Sequence, residues 1–199
     1  MAVAAGAVVV MTACTALPPA ERSVPDRFAD AYIELLPVAA LMAHAAKQDP
    51  SWPLGAKAAL VSEAQLGCMR RALPPTEVES AQRKTARDYA QAHPDTLATD
   101  LAVLEGGAAR LIGEAMRSGA GLPSPRAPAP ATSEQARALV AFSTEARYAD
   151  LRQATGLARL AGGAPASATQ RGQDIARVQT VNLLTDAFLR CHIPVKLLY

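Results

Sequence analysis

The sequence predicts an all-α protein, a single-domain bundle of about six helices with a Pro/Ala-rich linker in the middle. Aromatic residues make up 4% of the 199 residues while alanine is abundant, a composition that favours close-packed helices over a sheet of branched and aromatic side chains. Apolar residues recur at spacings of three and four, and no segment alternates apolar and polar residues between hairpin turns. Proline and glycine breaks, with capping signals beside them, divide the chain into helix-length pieces. The net charge is +2, with bases and acids interspersed. Phosphate binding needs a clustered basic face, so nucleic acid is not an expected partner.

The first element is an uncharged apolar run, Ala2 to Met11, closed by small residues and a cysteine in Met11-Thr12-Ala13-Cys14. A run of about 7–15 apolar residues before small residues has the form of a secretory signal, too short for a comfortable membrane span. With the cysteine at its end, the segment resembles the signal peptide of bacterial lipoproteins. Met11 stands where that family prefers Leu, and no Lys or Arg precedes the run. The resemblance implies a signal peptide over 1–13, cleavage before Cys14, and diacylglycerol and further acyl chains such as palmitate on Cys14. The protein would be lipid-anchored in the envelope and face the periplasm. Thr15, rather than Asp, implies the outer membrane by the same analogy. The residues leave open an uncleaved apolar helix from about Ala2 to Leu17, an ordinary secretory signal cut nearby, or a start upstream of Met1. Residues 14–25, with Pro18, Pro19 and Pro25, read as a stiff tether, and residues 26–199 as the helical domain. No further run in the chain reads as long enough to span a bilayer.

A first helix is expected from Asp26 to about Gln48, with Phe28, Tyr32, Leu35, Leu36, Ala39 and Met42 on its apolar face and Pro37 kinking or dividing it. Asp49 to Pro53 is a loop whose Trp52 caps the core. A second helix spans about Gly55 to Leu73 and ends at Pro74-Pro75. Thr76 and Glu79 have the spacing of a capping box, opening a third helix that reaches about Ala92. His93-Pro94-Asp95 breaks the chain. Leu97, Leu101, Leu104, Ala108, Leu111 and Met116 mark the fourth helix, in which Gly106-Gly107 predicts a close helix contact or a bend.

Residues 118–131 hold too much Pro and Gly for regular structure and form the linker, with Pro123 to Pro130 exposed. Thr132 and Gln135 make a second capping box, opening a helix with Ala136, Leu139, Val140 and Phe142. A turn near Ser143 to Tyr148 precedes Leu151, Leu157 and Leu160, and Gly162 to Pro165 is the next break. The last helix runs from about Ser167 to Arg190, with Ile175, Val178, Val181, Leu184 and Phe188 inward, and Ile193 to Tyr199 docks on the core. Leu101, Leu104, Leu111, Val178, Leu184 and Phe188 are expected among the most buried residues.

The capped helix from Thr132 through Phe142, with Tyr148-Ala149-Asp150-Leu151-Arg152 after a short spacer, resembles the domain-of-unknown-function family 2059. That family comprises small exported helical bacterial proteins with an aromatic turn after a capped helix. Ser143 to Ala146 lacks the Pro and Gly of that turn. The resemblance covers about a quarter of the mature chain and implies an all-helical periplasmic domain, with no catalytic residues to carry over.

If Cys14 takes lipid, Cys68 and Cys191 remain as an even pair, expected to form a disulfide in an oxidising compartment. The alternative is two buried thiols that never meet. Candidate chemistry is thin. His44, His93 and His192 lie far apart and stand in no zinc-type spacing. Cys191 beside His192 suggests a nucleophile pair, but neighbours in sequence rarely face one another and a disulfide would remove the thiolate. Glu77 and Glu79, or Asp95 and Asp100, could suggest paired carboxylates, yet acids in a first helical turn are explained by the helix dipole. Gly106-Gly107 lacks the Lys-Ser/Thr of a phosphate loop, and Arg70-Arg71 reads as a helix-end pair. No cofactor, metal or catalytic set is therefore expected. The first functional reading is a helical protein-interaction module of the envelope, held to the membrane by its N-terminal lipid. A carrier with an apolar ligand between its helices is the second, and an enzyme the third.

Overall fold

The computed structural model describes residues 22–127, 129–158, 181 and 183–198. Cys14, the signal segment, most of the tether, Pro128, Leu160, the break at 162–165, Ile175 and Val178 lie outside the described residues. Among the described residues there is no strand, and the fold is all-α. Eight α-helices are described in full: α1 (Val24–Leu35), α2 (Val38–Gln48), α3 (Glu63–Ala72), α4 (Pro75–Ala92), α5 (Leu97–Val103), α6 (Ala109–Gly119), α7 (Ser133–Thr144) and α8 (Ala149–Thr155). Residues 183–190 form a further stretch of helix, called here the C-terminal helix.

The first helix starts inside the expected tether. The Ser23 hydroxyl accepts from the Asp26 N–H at 3.3 Å, and Pro25 sits in the first turn, where its missing N–H costs nothing. Pro37 divides the segment in two. The Val38 N–H turns back to the Leu36 carbonyl at 2.8 Å, and that carbonyl also accepts from the buried Gln82 amide at 2.8 Å. By length and composition Val24–Gln48 is apolar enough to cross a membrane, contrary to the sequence reading. It is two helices here, with Phe28, Ala29, Tyr32, Leu35 and Leu36 fully buried in the protein.

The expected second helix is also divided. Gly55–Leu60 is a 3-10 turn, and α3 begins anew after Ser62, whose capping box with Gln65 the sequence reading passed over. The capping box expected at Thr76 does not form. Pro75 holds the first helical position with Pro74 as the cap residue, so Thr76 falls inside the helix. At Thr132 both halves of the box are present.

The glycine pair produces the bend and the contact together. Leu104–Ala108 is a π-helical turn between α5 and α6, and Gly107 adopts φ 126°. A Cβ there would lie 2.6 Å from the Gln135 side chain, so the missing side chain is what admits α7. The extra residue of the π turn rotates the apolar stripe by about 100°. Ile112 is consequently buried, whereas Leu111, expected in the core, is half-buried. Leu101, Leu104 and Phe188 are buried as expected; Leu184 is half-buried.

Helix α1 is central, packed on α4, α5 and α6 and on the π turn. The main core gathers Phe28, Tyr32, Leu35, Val78, Leu101, Leu104, Phe142 and Leu151. A second, smaller core joins Met69 and Leu73 of α3 to Ala187, Phe188, Cys191 and Ile193, with Trp52 against it. Residues 123–127 and 129–130 of the linker are exposed, and Arg126 reaches Glu34 at 2.7 Å. The Arg152 guanidinium is buried and donates to the carbonyls of Phe142 (2.6 Å) and Glu145 (2.9 Å), closing the free C-terminal end of α7.

Candidate functional site

Helix α4 is amphipathic over five turns, and its inner face (Val78, Gln82, Ala86, Tyr89, Ala90) is buried, chiefly against α1. The flank of its N-terminal half presents Glu77, Ala81 and Lys84, spaced as one stripe of a helix. The C-terminal helix presents Leu183, Asp186 and Arg190 in the same manner, with Leu189 beside them. Between the two helices runs an open groove of about 530 Å³. Leu73, Val78, Ala72 and Leu183 give it an apolar floor, and Glu77, Lys84, Asp186 and Arg190 give it charged rims. Leu189 on its wall is 60% exposed, a large apolar side chain left in water. The Arg190 guanidinium donates to the Ala72 carbonyl at 3.2 Å, holding one end of the C-terminal helix at the α3–α4 junction.

Cys68 and Cys191 are joined, with their Cα atoms 5.7 Å apart across a sequence separation of 123. The bridge ties α3 to the chain end. Around it the Gln65 amide donates to the His192 carbonyl at 2.9 Å and the Lys57 ammonium to the Leu197 carbonyl at 2.9 Å. His192 is exposed at φ 54°, and its neighbour's sulfur is committed to the bridge, so the two form no nucleophile pair.

A buried polar cluster lies elsewhere, at the junction of α4 and α5. Asp100 is 1% exposed, and its carboxylate accepts from the Tyr89 hydroxyl at 3.0 Å and the Thr96 hydroxyl at 2.9 Å. The His93 ring stacks on Tyr89 at 4.3 Å, and Tyr89 stacks on Phe28 at 5.4 Å. Burial pushes the Asp100 carboxyl above the usual range, although the two hydroxyl donors pull it down. Burial and the Asp100 charge raise the Tyr89 phenol in turn. The cluster joins the end of α4 to the start of α5. Asp95 is exposed and does not pair with Asp100. Among the described residues no three His, Cys, Asp or Glu side chains gather as a metal site requires. Sequence reasoning singled out neither the groove nor the Tyr89–Asp100 pair, because both depend on packing across chain breaks.

No family model, curated protein or solved structure matches the chain.

Proposed function

We propose that this chain is a lipoprotein of the bacterial cell envelope, anchored through acyl chains on Cys14 and acting as a helical protein-interaction module on the periplasmic side, at the outer membrane. The observation that carries the reading is Met11-Thr12-Ala13-Cys14 behind the uncharged run Ala2 to Met11. Two or three acyl chains anchor a soluble domain, because each buried methylene contributes about 0.8 kcal/mol and one chain alone binds only marginally. The Cys68–Cys191 bridge suits an oxidising compartment. The likeness of Thr132 to Leu157 to domain-of-unknown-function family 2059 belongs to the same reading. The open groove with its charged rims supports a docking role over a carrier, which would enclose its ligand in an apolar cavity.

The test is metabolic labelling with palmitate followed by membrane fractionation. The wild-type chain is expected to incorporate label and sediment with outer membrane, while Cys14→Ser incorporates none and accumulates as uncleaved precursor. Labelling and normal processing of Cys14→Ser would overturn the anchor.

A further inference from the structure

We propose that the groove between α4 and the C-terminal helix is a self-association surface, and that it receives the same face of a second copy of this chain. The inference deepens the interaction reading above by naming its partner, and rests on that reading without requiring lipidation.

Arg190 is held to the Ala72 carbonyl, so the end of the C-terminal helix lies beside the start of α4, and Leu183, two turns earlier, lines the groove with Lys84. The two walls therefore run antiparallel. Along one direction the α4 wall reads acid then base, Glu77 then Lys84. Along the same direction the other wall reads base then acid, Arg190 then Asp186. Each end of the groove thus carries one charge of each sign on opposite walls.

That pattern discriminates among occupants. A peptide of uniform charge would meet a like charge at both ends, and like charges brought together across an interface are unfavourable. A second copy related by a two-fold axis along the groove meets none. Glu77 of one copy then faces the second copy's Arg190, and Lys84 faces the second copy's Asp186. Such a self-complementary patch is what a two-fold contact requires. Lys84 also pairs with Asp88 at 2.6 Å, but both side chains are exposed and a surface pair of this kind rearranges at little cost. The apolar contribution comes from Leu189, whose exposed side chain meets the half-buried Ala72, Ala81 and Leu183 of the facing groove.

The experiment uses the full-length chain in native membranes, with p-benzoylphenylalanine at position 189 and ultraviolet irradiation. The expected product has twice the mass of the chain, contains only its peptides, and carries the cross-link on the α4 segment from Glu77 to Lys84. Two differently tagged copies are expected to co-purify in mild detergent. Leu189→Lys should lower that recovery about tenfold, as losing a central anchor does. Leu60→Lys, at a site 67% exposed and outside the groove, should leave it unchanged. Glu77→Lys provides a second, charge-based variant on an exposed rim and should also weaken co-purification. Cross-linking to a different protein would overturn self-association while leaving the interaction reading standing. Recovery that is absent in the wild type, or equal in all variants, would remove the groove as a docking surface. The Cys14→Ser labelling result is independent of each outcome.

Discussion

Asp100 is the one acid buried among the described residues, and its environment is divided against itself. Desolvation raises its pKa from 3.8, whereas Thr96 and Tyr89 hold the ionised form by donating to it. Desolvation is the larger effect, so the folded protein holds this proton to higher pH than the unfolded chain does. As pH rises from about 3.8 toward the folded value, the unfolded state ionises first and stability falls; above that value the loss is constant. Asp100→Asn keeps an acceptor for both hydroxyls and removes the titration. The variant is therefore expected to gain stability relative to wild type as pH rises through that window, measured by urea unfolding at about pH 4 and pH 7. A difference independent of pH would show that the carboxyl does not carry the burial cost argued for it.

Two glycines make opposite predictions. A Cβ on Gly113 would lie 2.0 Å from the Glu34 carbonyl oxygen, so Gly113→Ala must push α6 away from α1. The expected cost is about 1–3 kcal/mol, as in other overpacked cores. Gly67 lies inside α3, and a Cβ there would meet only the tip of the Arg71 side chain at 3.4 Å. Gly67→Ala is expected to stabilise by about 0.5–1 kcal/mol, because alanine loses less backbone freedom in a helix. Thermal melts of the two variants should move in opposite directions.

Among the helices, caps separate what a local pattern signals from what the chain uses. Ser62 and Thr132 each make a reciprocal box with the glutamine three residues on, and Thr76 makes none. Ser62→Ala and Thr132→Ala are each expected to cost about 1 kcal/mol, and Thr76→Ala close to nothing, by chemical denaturation. The division at Pro37, the bend at Gly106-Gly107 and the box at Thr132 were legible in the sequence because each is decided within a few residues by a missing N–H, a missing Cβ or a hydroxyl. Thr76 misled because Pro75 had already preset the helical backbone one residue earlier. Leu111 was misplaced for a related reason: a regular 3.6-residue period cannot anticipate the residue that the π turn inserts. The candidate site was the least legible part. Glu77 and Arg190 are far apart in the chain, and only the packing of the C-terminal helix against α3 and α4 brings them to one groove. Cys68 and Cys191 were readable as a pair by count, while their neighbours Gln65, Lys57 and Arg190 took the structure to identify.

The molecule as a whole has two cores of unequal size, and they depend on different bonds. The larger is closed by α1 packing on α4, α5 and α6, with α7 seated on the π turn. The smaller holds six buried residues, Met69, Leu73, Ala187, Phe188, Cys191 and Ile193, and its two halves lie far apart in the sequence. Bringing such halves together costs chain entropy that so few side chains repay poorly, and the disulfide removes part of that cost from the unfolded state. In the chain-entropy model a loop of this length contributes up to about 4–5 kcal/mol. Reduction should therefore act locally before it acts globally. With the bridge reduced, or in Cys68→Ser/Cys191→Ser, amides of 66–73 and 187–197 are expected to lose hydrogen-exchange protection while those of Phe28 to Leu35 and Val78 to Ala90 keep theirs. The same asymmetry predicts the response to truncation in the core. Leu104→Ala should cost about 2–5 kcal/mol whether or not the bridge is intact, because its neighbours belong to the larger core. Phe188→Ala should cost a comparable amount in the oxidised protein and much less in the reduced one, where the side chain has already left its neighbours. Equal losses at Phe188 in both redox states, or uniform loss of amide protection on reduction, would show that the two cores unfold as one unit and that the bridge staples the whole bundle.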